Sequence, residues 1–142
     1  MDAITEKVYQ AILSAVLAAF GYLFGGWHYL MGVFIALWFL DYVTGMIASG
    51  INGELSSNRG FKGIGKKVMA VCVIATAHLA DVMLGTQTIL RDATLFYFSM
   101  NEIISIIENC GRAGLPIPAQ LRRLVALFGD DKDDKKDANK RG

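Results

Sequence analysis

The stretch YLMGVFIALWFLDYVTGMIA, residues 29–48, decides the fold, and its only formal charge is Asp41. As an α-helix rising about 1.5 Å per residue it reaches about 30 Å, the thickness of the hydrocarbon core of a bilayer. A surface helix of a soluble bundle carries a charged outer face, and this stretch has none. Three further segments of the same kind flank it, at residues 8–24, 68–84 and 93–110. Asp41 is the sole charge between residues 8 and 53, and Asp81 the sole charge between 68 and 90. The chain is 54% hydrophobic and 19% charged, which excludes an ordinary soluble domain. Its formal net charge of +1 implies neither a nucleic-acid partner nor an acidic substrate. The expected fold is therefore an all-α integral membrane protein with four short transmembrane helices.

The connectors set the topology. Residues 49–67 read as a polar loop whose bases Arg59, Lys62, Lys66 and Lys67 face only Glu54. The link after the third segment offers only Arg91, beside Asp92. Cytoplasmic loops carry the excess of Lys and Arg, so the basic loop and both termini are expected inside. The Gly25-Gly26-Trp27-His28 connector is tight enough that segment one alternatively lies in the interface or re-enters, leaving three spans. Past the fourth segment, Pro116 and Pro118 break the helix. Leu121, Leu124, Val125 and Phe128 then recur at helical spacing, so 118–128 is expected as an amphipathic helix on the cytoplasmic surface. Residues 129–142 follow as a charged, disordered tail, with five acids and five bases from Asp130 on. Cys72 and Cys110 match no metal or redox spacing and read as buried free thiols.

Helical faces locate the candidate site. At about 100° per residue, Thr94, Tyr97, Asn101, Glu102, Ser105, Glu108, Asn109 and Arg112 share one side of segment four. Leu95, Phe96, Met100, Ile103, Ile104, Ile106 and Ile107 take the other. A carboxylate at membrane depth faces protein or water, so Asn101, Glu102, Ser105, Glu108 and Asn109 form a candidate lesion lining or subunit interface. Glu108 alternatively pairs with Arg112 one turn on. Segment one gathers Ala11, Ser14, Ala15, Ala18 and Ala19 on one side, and small faces let membrane helices approach closely. Asp41, Thr44 and Gly45 continue that theme in segment two, and His78 lies one turn from Asp81 in segment three. These five are expected to act in packing or as buried polar groups. His78 has no second His or Cys at ligand spacing, so no metal is expected. No phosphate loop, metal motif or nucleophile motif occurs, so neither a catalytic residue nor a cofactor is expected.

Several short motifs then fall in a specific order: Leu40-Asp41 with Thr44-Gly45; Leu55-Ser56-Ser57 with Gly60, Gly63, Lys66 and Lys67; Asn101-Glu102; Ser105-Ile106-Ile107-Glu108-Asn109; and Gly114-Leu115-Pro116-Ile117-Pro118. Together, over about residues 30–125, they resemble the toxin-secretion and phage-lysis holin family. The resemblance implies a non-enzymatic protein of the host inner (cytoplasmic) membrane that forms homo-oligomers in the lipid bilayer. It further implies a lesion through which an endolysin or a toxin crosses, with an antiholin as a conceivable partner. The family carries no catalytic residue set to transfer. Two other functions fit the residues: a small ion- or proton-coupled transporter using Asp41, Asp81 and Glu102, or an antiholin.

Overall fold

Apolar runs long enough to cross a bilayer fold as helices, because unpaired backbone N–H and C=O groups are too costly in lipid. The computed structural model describes residues 2–128, and over them the chain is helical, with no strand among those residues. Helix α1 spans Ala3–Phe24, α2 Tyr29–Ile51, α3 Ser57–Leu84 and α4 Ile89–Arg112. A further helix, α5, covers 119–128, where the amphipathic surface helix is expected. The charged tail at 129–142 lies outside the described residues.

Glycines end two of the helices. Gly25 follows α1 at φ 75° and Gly85 follows α3 at φ 68°, a left-handed conformation that side chains with a Cβ disfavour. At Gly25 the constraint is also steric. A Cβ built there meets the Arg91 guanidinium at 2.6 Å and the His78 ring at 2.7 Å.

One expectation about the connectors needs correction. The polar loop placed at 49–67 is mostly helix: α2 continues to Ile51, α3 begins at Ser57, and only residues 52–56 connect them. Polar residues with adequate helix propensity simply extend the helices beyond the lipid. Of the four expected spans, three qualify by length and composition. Ala3–Phe24, Tyr29–Ile51 and Gly60–Leu84 are long and apolar enough to cross a membrane, whereas α4 is not among them. Segment one thus meets the requirement, and the polar stripe of α4 sets that helix apart.

Helix α4 is the centre of the bundle, packing most extensively on α2 and then on α3. Helix α1 packs mainly on α3, and its other sides stay open: Val8, Leu13, Val16 and Leu17 are exposed. Its small face, from Ala11 to Ala19, is exposed as well. Phe24, Met31, Phe34, Ile74 and Leu95 form a continuous apolar core near the α1–α2 and α3–α4 turns. Cys72 is exposed rather than buried and Cys110 is half-buried; both are free thiols. On a membrane helix an exposed thiol meets lipid, which is as apolar as a protein core.

Candidate functional site

Helix α4 aligns Glu102, Ser105, Asn109 and Arg112 in one stripe, because steps of three and four residues return to the same face. On α2 the facing stripe is Asp41, Thr44, Gly45 and Ala48, and on α3 the inward group is Lys67. Lys67 Nζ sits 2.8 Å from Asp41 Oδ2 and also donates to Glu102 Oε2. The three side chains are only 12%, 13% and 14% exposed for Lys67, Asp41 and Glu102, so this is a buried triad. Each member stands ten residues from the same end of its helix: Ile51 for Asp41, Ser57 for Lys67 and Arg112 for Glu102. At about 1.5 Å per residue that places all three at one level, about 15 Å along their helices from those ends.

Asn109 extends the cluster. Its Nδ2 donates to Asp41 Oδ1 at 3.0 Å and to Thr44 Oγ1 at 3.3 Å. Gly45 faces this side chain: a Cβ built there lies 3.4 Å from Asn109 Nδ2, in van der Waals contact. Nearer the helix ends, Arg112 donates to Glu54 at 2.9 Å, and Asn52 Nδ2 donates to the Arg112 carbonyl at 3.1 Å. Arg112 therefore pairs with Glu54 across the bundle rather than with Glu108, which is exposed. Between these ends runs a cavity of about 290 Å³, lined among others by Asp41, Gly63, Lys67, Ser105 and Arg112. It is an open, partly polar vestibule that begins beside Glu54 and Arg112 and reaches the triad.

A second polar cluster lies at the opposite end. Asp81 Oδ1 accepts the Leu90 N–H at 3.0 Å and Oδ2 the Arg91 N–H at 2.8 Å, with the Thr86 hydroxyl as a third donor. A side chain of α3 thus caps the N-terminus of α4, whose own N-cap residue Thr88 makes no side-chain cap bond. Arg91 in turn donates to the Phe24 carbonyl at the end of α1, at 2.9 Å, and to Asp92 at 3.0 Å. His78 is buried there with Nδ1 unpartnered, and His28 Nε2 is likewise buried without a partner. Burial first, and the nearby Arg91 charge second, lower the pKa of His28 in the connector.

Of the residues expected to share a site, Asp41, Thr44, Gly45, Glu102, Ser105 and Asn109 meet in one seam. Asn101 is half-buried on the flank of α4, and Glu108 lies outside the seam. Asp81 and His78 belong to the far cluster, so Asp81 lies apart from Asp41 and Glu102. Lys67, read from the sequence as a loop base, is the member that sequence reasoning missed. A signal was present: Lys67 follows Lys66 directly and so points about 100° away from it on a helix.

The chain is similar to several bacterial and phage proteins. The chain is 44% identical to an uncharacterized protein of Listeria innocua over 120 residues, 82% of this chain and 86% of that one. It is 37% identical to an uncharacterized protein of Halalkalibacterium halodurans over 131 residues, 89% of this chain and 97% of that one. A probable holin of Bacillus phage phi105 is 31% identical over 114 residues, 80% of this chain and 84% of that one. No solved structure matches. Residues 18–130, which include every member of the seam, match the bacteriophage holin family, and the chain belongs to that family.

Proposed function

We propose that this protein oligomerises in the cytoplasmic membrane of a bacterial host and opens a lesion through which an endolysin, or in a toxin-release setting a toxin, crosses. Family membership and the phage relative support the holin role. The observation that carries the lesion is the polar stripe of α4, held beside a triad of charges between three helices. Charged groups inside a membrane face protein or water, and this stripe supplies the surface a water-filled opening requires. The exposed small face of α1, Ala11 to Ala19, offers a second copy a close-packing surface. In this reading α4 is the fourth span. Both termini and the 52–56 connector then lie in the cytoplasm, with Lys7, Lys62, Lys66, Arg112, Arg122 and Arg123 inside.

Controlled expression of the full chain in a bacterial host, with and without an endolysin, tests the proposal. Abrupt loss of viability after a delay, followed by lysis only when the endolysin is present, is the expected outcome. Full membrane accumulation without killing would refute it. Delay of another holin's lysis in that case would identify an antiholin instead.

A further inference from the structure

The triad presents a puzzle that stability does not resolve. Buried ion pairs cost so much desolvation that well-packed apolar replacements are often neutral or stabilising. Here two carboxylates on two helices share one ammonium on a third. All three charges lie at one level, and Asn109 adds a fourth polar link between α4 and α2. On one side the vestibule reaches the triad from the Glu54 and Arg112 end. On the other side the seam is closed by Phe34, Ile74 and Leu95, all fully or almost fully buried and apolar. Water access therefore stops at the charges.

We propose that Asp41, Lys67, Glu102 and Asn109 are a latch that holds the polar stripe of α4 shut against α2 and α3 within one protomer, and that lesion opening requires the seam to part. The inference rests on the lesion reading above and deepens it. In the closed protomer the stripe satisfies its own polar groups, so the chain can accumulate in lipid without a pore. Once the seam parts, the same charges regain hydration. Two discrete packings of the same helices, rather than a gradual loosening, are what such an arrangement supports.

A reversible covalent lock tests it directly. Gly45 and Asn109 face each other closely enough that Gly45→Cys with Asn109→Cys, in a chain also carrying Cys72→Ser and Cys110→Ser, can be joined by a mild oxidant. The oxidised protein should accumulate without lysis, and a reductant should restore lysis. A chain carrying only Cys72→Ser and Cys110→Ser should lyse on schedule under the same oxidant. A joined chain that lyses on schedule would overturn the latch while leaving the holin reading intact.

Lys67→Met provides the converse test, because it leaves Asp41 and Glu102 facing each other without the cation. Lysis should start earlier at equal membrane abundance, whereas Lys67→Arg should keep the original timing. Unchanged timing in Lys67→Met would again overturn the latch. A readout independent of lysis comes from Ser99→Cys, one turn beyond Glu102 on the same side of α4, in the same background without the native cysteines. In membrane vesicles a membrane-impermeant maleimide should label it faster when Lys67→Met is added. Equal labelling would sink the latch even if the parent chain never kills, an outcome that would count separately against the holin reading.

Discussion

At the scale of single residues, the polar side chains serve as connectors between helices rather than as isolated anchors. His28, in the connector between α1 and α2, carries a measurable consequence of burial. Its ordinary pKa is near 6.5, and burial together with the neighbouring Arg91 charge lowers it in the folded chain. The folded state then binds fewer protons than the unfolded state, so stability rises with pH across this range. The contribution is fully present above about pH 6.5 and is lost as the pH falls through the lower folded value. The thermal midpoint of the purified protein in detergent should therefore drop between about pH 7.5 and about pH 5.5. His28→Gln should flatten that dependence, and an equally steep drop in the variant would assign the titration to another group. Lys67 teaches a related lesson: its charge is visible in the sequence, but its role follows from two carboxylates on two other helices.

At the scale of helices, α4 is defined as much by what other elements do for it as by its own sequence. Its first-turn N–H groups end on Asp81 of α3, and its Arg91 satisfies the last carbonyl of α1. The negative Asp81 side chain also complements the positive end of the α4 dipole. Replacing Asp81 with Ala leaves two amide groups without acceptors, at a cost of about 1–3 kcal/mol for each buried one. Denaturant titration followed by circular dichroism in detergent should show that loss, with helix content before unfolding nearly unchanged. A variant as stable as the parent would mean that water replaces the carboxylate at this end. Helix α1 depends on the same cluster, since Arg91 and its packing on α3 hold it to the bundle.

At the scale of the whole molecule, the bases near the ends of α1, α3 and α4 make a protein whose orientation can be measured. Reporters that work only in the cytoplasm should be active when fused after Lys7, inserted at Gly53 or fused after Phe128, as the distribution of Lys and Arg requires. An N-terminal reporter active only outside would mean that α1 does not cross, despite a length and composition sufficient to do so. The membrane setting and most helix ends were legible in the sequence, because apolar run length, Gly25, Gly85 and the Pro116–Pro118 corner act locally. The start of α3 was not, because helix continues past the lipid boundary and hydropathy marks only that boundary. The polar stripe of α4 was legible too, since periodicity reveals which way a residue points about its own axis. Periodicity carries no information on which helix lies opposite or at what height. The sequence by itself therefore determined that Asp41, Glu102 and Asn109 are polar groups set into largely apolar helical runs. Only the tertiary structure decided that Lys67 meets both carboxylates, that Asn109 reaches Asp41 past Gly45, and that Asp81 belongs to the opposite end, because those pairings depend on the axial register of helices packed together.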